Sequence, residues 1–516
     1  MTELLTASQM RALEQVAIES ADVTGLALME RAGKAVLEAV FQQWPALDTG
    51  RHKAVVICGP GNNGGDGFVV ARLLRARGWR VEAFLFGDAN KLPPDAKANY
   101  CRWAESGQIR RLSDFPTTSA APDTGQSMAD LIVDAGFGTG LSRPIEGQAA
   151  TLFGQIDALC RAWKSVCVAV DIPSGICADS GRILGCAVSA DLTVTFHRPK
   201  LGHYLDTGPE KCGKLVVQDI GLGGERSASL PRLNAPAIKQ LLDKAPGAHK
   251  FIHGHALVLS GLSGKGGAAR LAARGALRIG AGLVSLGVPH AALAEHAAQV
   301  NALMLSEIGD APALAALLAD QRINALCLGP GLGLARAREL VPVALACGRA
   351  CVLDADALTA YKGNAAELFE ITHEKCVLTP HFGEFSRLFP DIAARLAEAP
   401  GRGPAYSRVD AAQDAAERAG CVVLLKGPDT VIAAPDRRCL VNAAAYERAA
   451  PWLATAGSGD VLAGFITGLL ARGFSPFRAA GNAAWLHTQC AHDFGPGLIA
   501  EDLPEQLPMV FRALNA

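Results

Sequence analysis

The chain has 516 residues, of which 50% are hydrophobic and 19% are charged. This composition excludes a largely disordered protein, and at ~150 residues per domain it predicts two or three folded domains. The 49 Lys and Arg residues nearly balance the 50 Asp and Glu residues, which argues against nucleic acid or an acidic membrane as a partner. The N-terminal sequence does not resemble a signal peptide, and no apolar run reaches the ~18 residues of a membrane span. With 14 cysteines and no CxxC pair, we expect reduced thiols in a cytoplasmic protein.

Short apolar runs rich in β-branched residues recur in the first half of the chain and predict strands buried on both faces of a parallel sheet. They are Ala54–Cys58, Val81–Phe86, Leu131–Val133, Val166–Val170, Leu192–Phe196 and Leu215–Gln218. Helices are predicted at Gly67–Arg77 and Ala149–Trp163, and at the N-terminus, where Thr6 and Gln9 fit a capping box. We expect Pro116–Gln126 to be a mobile surface loop.

The periodic pattern stops around Gly221–Gly247, and we place a linker at residues 224–247. A second α/β series follows it, with Ala-rich helices such as Ala268–Gly280 and a hairpin formed by Val431–Ala434 and Arg438–Asn442. The other strands predicted in this series are Ala256–Ser260, Leu283–Leu286, Ala325–Leu328, Cys351–Leu353, Val377–Leu378 and Val422–Leu425.

A glycine-rich turn follows the first predicted strand, where Gly59, Gly61 and Gly64 satisfy the pattern G-x-G-x-x-G. Backbone without side chains can approach a pyrophosphate there, and the next helix supplies free N–H groups. A tight turn without a ligand is the alternative. The polar run Asn62–Asp66 favours a ligand, whereas Glu82, inside the second predicted strand, argues against an ordinary dinucleotide-binding dehydrogenase.

Polar side chains also stand at the carboxyl ends of two later strands, namely Asp134, then Asp171 and Ser174. Ligands bind at this edge of open α/β sheets, so we expect these side chains to meet Asn63 in one crevice. A single Asp at such a place is commonly a turn or cap residue, which is the alternative. Oxygen atoms of Asn, Asp and Ser, without His or Cys, suit a hard cation. A carboxylate that does not bind this cation is free for proton transfer.

The motifs GNNGGDG, VDAGFGTGL and VDIPSG, in this order within residues 1–223, resemble the YjeF N-terminal domain of the NAD(P)H-hydrate epimerases. The resemblance implies a Rossmann-like three-layer domain over residues 1–223. It implies a potassium ion held by Asn63, Asp134 and Ser174, with Asp171 as the catalytic residue beside the reacting ring. The residues it implies for binding the hydrated dinucleotide are Asn62, Asn63, Gly64, Gly65, Asp66, Gly138, Thr139, Gly140, Leu141, Ser142, Arg143, Pro144 and Asp171.

In the second half, Gly457 and Gly459 lie at the start of a predicted apolar helix, where backbone N–H groups can bind an anion. Asp460 beside them either caps the helix or handles the proton of a hydroxyl that meets a phosphate. Lys426 follows a strand and can face a nucleotide, although a solvated lysine is the commoner role. His381 follows another strand and is a candidate ligand contact, although a lone histidine is commonly structural.

The motifs GPGLG, DADALT, LTPHFGEF, LKGPDT and TAGSGD, in this order, resemble the YjeF C-terminal domain. These proteins are ADP- or ATP-dependent NAD(P)H-hydrate dehydratases of the ribokinase-like superfamily, which implies a ribokinase-like α/β domain over residues 248–516. The resemblance implies catalysis by Asp460 and Mg²⁺ bound with ADP. It implies hydrate binding by Ala268, Gly331, Gly333, His381 and Asp460, and nucleotide binding by Lys426, Gly427, Pro428, Asp429, Thr430 and Gly459.

Together these resemblances imply a bifunctional enzyme that repairs hydrated nicotinamide cofactors. One domain interconverts R- and S-NAD(P)HX, and the other uses ADP to dehydrate the S epimer, releasing AMP and phosphate. We expect NADHX, NADPHX and ADP as partners, no nucleic acid or membrane, and a homo-oligomer. Two alternatives remain: a ribokinase-like vitamin or sugar kinase, and a nucleotide-binding scaffold without activity.

Overall fold

The computed structural model describes residues 2–115, 129–223, 230–244 and 247–515. Its chain divides into two compact units: the first unit, Thr2–Leu230 with Ala399–Ser407, and the second unit, Pro231–Glu398 with Arg408–Ala516. The loop expected at Pro116–Gln126 lies outside the described residues. Where we expect a linker, at 224–247, the described residues contain a short strand and a helix.

The described residues of the first unit form a seven-stranded sheet in which every neighbouring pair is parallel, in the order β3-β2-β1-β4-β5-β6-β7. The strands are β1 Lys53–Cys58, β2 Arg80–Leu85, β3 Ile109–Arg111, β4 Leu131–Ala135, β5 Val166–Val170, β6 Leu192–Phe196 and β7 Lys214–Gln218. The helices are α1 Ala7–Glu19, α2 Gly25–Gln43, α3 Asn62–Ala76, α4 Pro94–Ala104, α5 Gly147–Trp163 and α6 Gly208–Cys212.

Both faces of this sheet are covered, which makes the first unit a three-layer α/β/α structure. Val56 and Cys58 of β1 belong to a core shared with α2, α3 and α4, whereas Val55 and Ile57 belong to a core shared with α5. Successive residues of a strand point to opposite faces, so an apolar run without alternation is what two covered faces require. The predicted fold class and strands are confirmed here, as is the Thr6–Gln9 capping box.

The glycine-rich motif differs from the expectation in one respect. We expect Asn62–Asp66 on a turn before the helix, but α3 begins at Asn62, directly after the N-cap Gly61. Gly64 lies so close to the preceding turn that a Cβ atom there would be 2.1 Å from the carbonyl oxygen of Gly59. The glycine at position 64 therefore lies within the first turn of the helix, where the close approach to Gly59 leaves no room for a side chain.

The described residues of the second unit form a ten-stranded mixed sheet in the order β11-β10-β9-β12-β13-β14-β15-β16-β17-β8. β16 runs antiparallel to β15 and β17, as the predicted hairpin requires, and the other pairs are parallel. The strands are β8 Arg232–Leu233, β9 His255–Leu259, β10 Leu283–Val288, β11 Met304–Glu307, β12 Ile323–Leu328, β13 Ala350–Leu353, β14 Cys376–Leu378, β15 Val422–Leu425, β16 Asp429–Ala433 and β17 Cys439–Ala443.

The main core of the second unit lies where α8, α17 and α18 pack against the sheet. In α17, every residue from Val461 to Ala471 is buried, as expected for a helix that is apolar on all sides. No helix among the described residues combines the length and apolar character needed to cross a membrane. The helices are α7 Ile238–Leu242, α8 Gly267–Arg278, α9 Leu293–Ala297, α10 Ala311–Leu317, α11 Leu334–Ala346, α12 Asp356–Thr359, α13 Ala365–Ile371, α14 Phe382–Leu388, α15 Pro390–Ala397, α16 Arg408–Ala419, α17 Ser458–Ala471, α18 Pro476–Phe494 and α19 Asp502–Asn515.

Candidate active sites

The first unit contains a cavity of about 870 Å³ at the carboxyl edge of its sheet, which we call the first cavity. Most residues expected to bind the hydrated dinucleotide line it. They are Asn62, Asn63, Asp66, Gly138, Thr139, Gly140, Leu141, Ser142, Arg143 and Asp171. Gly64, Gly65 and Pro144 are not among the lining residues, and a Cβ atom at Gly65 would lie 2.9 Å from the Cα atom of Ala96. These two glycines therefore allow close packing of α3 instead of facing the cavity.

Asp171 follows β5 and is held by a buried lysine. Lys200 Nζ lies 2.8 Å from Asp171 Oδ1 and also donates to Thr195 Oγ1 (2.8 Å) and the Phe196 carbonyl (3.3 Å). The side chains of Lys200 and Asp171 are 1% and 13% exposed. Burial raises the pKa of Asp171, but the charge and hydrogen bond of Lys200 outweigh it and hold the pKa below its usual value. Asp171 is therefore a carboxylate at neutral pH.

The backbone of Asp171 is fixed as well, in a conformation that is rare for residues other than glycine. Its φ is 68°, and such a residue costs ~1–3 kcal/mol unless its surroundings hold it. The Lys200 N–H donates to His203 Nδ1 (2.9 Å), and His203 Nε2 lies 2.9 Å from the Asp171 carbonyl. Burial, together with the charge of Lys200, lowers the pKa of His203 to about 4. The neutral ring therefore carries its proton on Nε2 and donates it to the Asp171 carbonyl.

Two other carboxyl groups line the first cavity, Asp66 and Glu14. Burial and the negative charges of Asp171 and Glu14 raise the pKa of Asp66 well above its usual value. Burial and the charge of Asp171 likewise raise the pKa of Glu14, although Lys200 and Arg11 oppose the shift. These environments push the pKa values of neighbouring carboxyls apart, which suits a pair made of a proton acceptor and a proton donor.

Two of the three residues expected to hold potassium, Asp134 and Ser174, are in contact, and the third, Asn63, lines the cavity. Asp134 is fully buried, and its carboxylate accepts from the backbone N–H groups of Ser174 (2.7 Å) and Gly136 (3.1 Å). Burial raises the pKa of Asp134 to about 6. A Cβ atom at Gly138 would lie 2.9 Å from Asn63 Oδ1, and no described residue accepts a hydrogen bond from the buried Nδ2 of Asn63. A single buried carboxylate beside neutral oxygens fits a monovalent hard cation.

The second unit has a cavity of about 560 Å³, which we call the second cavity. Of the residues expected to bind the nucleotide, Lys426, Gly427, Pro428, Thr430 and Gly459 line it. Asp429 does not line it; its carboxylate instead pairs with Arg408, with Oδ1 3.0 Å from Nε. Residues that we did not expect complete the lining, including the polar side chains of Asn442, His487 and Thr488 and an apolar wall formed by Ala449, Ala450, Pro451, Leu453 and Ala454.

Lys426 lines the second cavity and also contacts two carboxylates. Its Nζ lies 2.7 Å from Asp354 Oδ1 and 3.9 Å from Glu384 Oε2. A Cβ atom at Gly459 would lie 3.3 Å from this Nζ, so the lysine head lies against the first turn of α17. Burial lowers the pKa of Lys426, but the negative charges of Asp354 and Glu384 outweigh it and raise the pKa. An ammonium group and helix N–H groups at one place favour a phosphate.

Asp460 lies in the first turn of α17 and its environment differs from that of a simple cap. Burial and the charge of Asp354 raise the pKa of Asp460 to about 6, although Lys426 opposes the shift. A carboxyl with this pKa changes its protonation state close to neutral pH, which suits a general base. The capping alternative supplies no reason for such a shift, because a helix N-terminus stabilises the charged form.

The residues expected to contact the hydrate lie partly together. A Cβ atom at Gly331 would lie 3.4 Å from the Cβ atom of Ala268, and the Gly333 N–H donates to Asp356 Oδ2 (2.8 Å). Between Asp354 and Asp356, Ala355 has a φ of 47°. His381 is the N-cap of α14; its Nδ1 accepts from the backbone N–H groups of Gly383 (2.9 Å) and Glu384 (3.4 Å). Its side chain is 55% exposed, and its Nε2 lies 3.5 Å from Glu384 Oε1, so the ring has a structural role at the start of α14.

Sequence reasoning missed Glu14 and Lys200 in the first unit. The motifs DADALT and LTPHFGEF contain Asp354 and Glu384 of the second unit, but the sequence alone assigns neither residue a role. None of these four residues lies in a glycine-rich motif, and the Lys200–Asp171 pair joins positions 29 residues apart. Only the tertiary structure brings them to the sites.

Comparison with known proteins agrees with this two-site arrangement. Residues 25–202 match the family described as YjeF-related protein N-terminus, and residues 256–507 match the family described as NAD(P)H-hydrate dehydratase. The chain is 35% identical to the bifunctional NAD(P)H-hydrate repair enzyme Nnr of Moorella thermoacetica over 537 positions, which cover 99% of this chain and 97% of that protein. The chain belongs to the family of bifunctional NAD(P)H-hydrate repair enzymes.

Other proteins match one part of the repair-enzyme chain. The NAD(P)H-hydrate epimerase of Roseobacter litoralis is 47% identical over 235 positions, which cover 43% of this chain and 100% of that protein. A crystal structure of the ADP/ATP-dependent NAD(P)H-hydrate dehydratase from Bacillus subtilis, co-crystallised with ATP/Mg²⁺, matches with 28% sequence identity and a TM-score of 0.43. The match covers 55% of this chain and 95% of that chain. Membership of the repair-enzyme family confirms the predicted enzyme class and argues against the kinase and scaffold alternatives.

Proposed function

We propose that the first cavity interconverts the R and S epimers of NADHX and NADPHX, and that the second unit dehydrates the S epimer with ADP. One observation carries this proposal: each unit combines a buried lysine–aspartate pair with a second carboxyl of raised pKa. These groups are Lys200–Asp171 with Asp66, and Lys426–Asp354 with Asp460. Each site therefore has a fixed charge and a group that can transfer a proton.

In the first cavity, we assign proton acceptance to Asp171 and proton donation to Asp66. Asp171 is kept charged by Lys200, whereas burial and the charges of Asp171 and Glu14 raise the pKa of Asp66 and thus favour its protonated form. Epimerisation requires one bond of the carbon that bears the hydroxyl to break and re-form on the other face. A carboxylate that takes a proton and a carboxylic acid that gives one can supply the proton transfers that accompany these two steps. The loop Gly138–Pro144 and Asn62 would bind the rest of the dinucleotide.

Asn63, Asp134 and Ser174 would hold the potassium ion that the family resemblance implies. Their fit rests on the buried Asp134 carboxylate beside the buried Ser174 hydroxyl. When bound, the ion supplies a positive charge that stabilises Asp134 as a carboxylate. Through the N–H groups of Gly136 and Ser174, Asp134 in turn fixes two of the loops that border the cavity.

In the second unit, Lys426 and the N-terminus of α17 would bind the phosphates of ADP, and the apolar wall of the second cavity would bind the adenine. Asp460 would accept the proton of the substrate hydroxyl. The hydroxyl oxygen of the substrate would attack the β-phosphorus of ADP, and AMP would leave. The C–O bond of the resulting phosphate ester then breaks, the neighbouring ring carbon loses a proton, and phosphate leaves. The ring double bond of NAD(P)H is restored.

Mg²⁺ would arrive with the nucleotide and supply charge neutralisation at the phosphates. No group of three or more His, Cys, Asp or Glu side chains suited to a metal occurs in the part of the chain that the structure describes. This fits an ion that takes most of its ligands from phosphates and water. Asp354 and Glu384, beside Lys426, are the carboxylates available to hold it.

The test is to incubate the chain with a mixture of R- and S-NADHX and ADP while following the absorbance of the restored dihydronicotinamide. We expect nearly complete recovery of NADH. Asp171→Asn should give two phases, a normal fast phase for the S fraction and a slow phase set by spontaneous epimerisation of R. Recovery that stops at the S fraction in the unaltered chain would refute the epimerase assignment, and no ADP-dependent recovery would refute the dehydratase assignment.

The expected homo-oligomer, the cytoplasmic location and the absence of nucleic-acid partners remain predictions.

A further inference from the structure

A short segment from the second half of the sequence belongs to the first unit. Ala399–Ser407 lies between α15 and α16 in the chain but is part of the first unit by its contacts. The Gly403 N–H donates to the Ser142 carbonyl (2.8 Å). Ala405 is buried in an apolar cluster with Cys177 and Leu184. The segment is thus attached to the loop that we expect to bind the dinucleotide.

This attachment brings Arg402 to the first cavity, which Arg402 and Gly403 line. Arg402 is exposed and forms no ion pair with any residue that the structure describes. Two more exposed arginines, Arg11 and Arg143, line the same cavity. The cavity therefore has carboxyl groups around Asp171 and guanidinium groups that remain accessible to solvent and ligand.

This distribution of charge matches the chemistry of a hydrated dinucleotide. Its tetrahydronicotinamide ring is uncharged and must meet the proton-transferring carboxyls, whereas its pyrophosphate is anionic, as is the 2′-phosphate of NADPHX. A guanidinium group binds phosphate oxygens through two parallel hydrogen bonds, and it stays charged at all physiological pH values. A cavity of this size is typical of a site that encloses a ligand as large as a cofactor.

We propose that Arg402 is a substrate-binding residue of the first cavity and that it binds a phosphate group of the dinucleotide. This proposal rests on the proposed epimerase function of that cavity. Arg402 would act on affinity and not on the chemical step, because phosphate and ring lie at different parts of the dinucleotide. The stand-alone epimerase described above aligns with the first half of the chain over its whole length, so epimerisation itself does not need this segment.

The experiment compares the full chain with Arg402→Ala by measuring kcat and KM of epimerisation for NADHX and for NADPHX separately. A hydrogen bond to a charged group contributes about a tenfold or larger factor in affinity. We therefore expect KM to rise about 10-fold or more while kcat changes less than about twofold. A rise for both substrates identifies the shared pyrophosphate as the ligand, and a rise for NADPHX alone identifies the 2′-phosphate.

Two variants serve as controls. Arg402→Lys should recover part of the affinity, because it keeps the charge but loses the paired geometry. Arg395→Ala removes an exposed arginine that pairs with Asp414 in the second unit, and it should leave both KM values unchanged. Unchanged KM values in Arg402→Ala, in a chain that epimerises both substrates, would overturn this proposal. Loss of epimerisation in the unaltered chain would instead overturn the function proposed for the cavity.

Discussion

Replacing Lys200 by Met should raise the pKa of Asp171 and destabilise the first unit. Methionine fills much of the volume of the lysine stem but removes the ammonium group, which is 2.8 Å from Asp171 Oδ1. A neighbouring opposite charge lowers a carboxyl pKa by about 1–3 units, so the pKa of Asp171 should rise by about that amount. Breaking a buried ion pair from one side costs ~3–5 kcal/mol. We expect the free energy of unfolding of the first unit to fall by that amount at neutral pH.

The pH dependence of this loss follows from the direction of each shift. With Lys200 present, the pKa of Asp171 is lower in the folded than in the unfolded state, so the pair stabilises the fold above ~pH 4, close to the unfolded pKa. That stabilisation is lost as the pH falls through the folded pKa. Without Lys200 burial dominates and the folded pKa exceeds the unfolded one, so the deficit of Lys200→Met should shrink as the pH is lowered.

The assay is the pH profile of kcat/KM for epimerisation, together with urea unfolding at several pH values. The acid limb reports protonation of Asp171, and in Lys200→Met it should lie about 1–3 pH units higher. Lys211→Met is the matched control, since the Lys211 Nζ donates to the Ser189 hydroxyl (2.9 Å) in the same unit. Its acid limb should not move. An acid limb at the same pH in Lys200→Met and the unaltered chain would refute the assigned role of Lys200.

Three further predictions concern the other features of the sites. Asp460→Asn should abolish ADP-dependent dehydration but leave ADP binding largely intact, and the dehydration rate of the unaltered chain should fall below ~pH 6, where Asp460 becomes protonated. Near-normal dehydration by this variant would leave only a capping role. Rigorous removal of K⁺ should slow epimerisation, and Na⁺ should restore it less well than K⁺; an unchanged rate would contradict the potassium site. Gly64→Ala should lower the unfolding free energy by ~1–3 kcal/mol, because its Cβ atom would overlap the Gly59 carbonyl, whereas Gly61→Ala, with open space around it, should have little effect in thermal unfolding.

The central strands of both sheets could be predicted because they are buried on both faces and therefore continuously apolar. The strands β3, β8 and β11 lie at sheet edges and escaped prediction. Ile109–Arg111 and Met304–Glu307 include exposed and charged residues, since an edge strand has a neighbour on one side only. No local pattern distinguishes such a strand from a loop.

In and beside the first cavity, likewise, some residues could be predicted from the sequence and others could not. The contact of Asp134 with Ser174 could be predicted, because each lies at the carboxyl edge of one parallel sheet. Glu14 lies on an N-terminal helix whose charged residues resemble a solvated face. Arg402 comes from the other half of the chain, so only the packing of its segment shows where it lies.

The positive φ angles have a consequence for attempts to make this protein more thermostable. Lys164, the exposed C-cap of α5, has a φ of 55°, and a glycine there would remove a penalty of ~1–2 kcal/mol at a place unconnected with either site. Asp171 and Ala355 have the same kind of backbone strain. At Asp171 the carboxylate contacts Lys200, and on either side of Ala355 the carboxylates of Asp354 and Asp356 contact Lys426 and the Gly333 N–H. We therefore expect relief of strain at Lys164 to leave both sites unchanged, whereas relief at Ala355 would let Asp354 and Asp356 leave their positions beside Lys426 and Gly333.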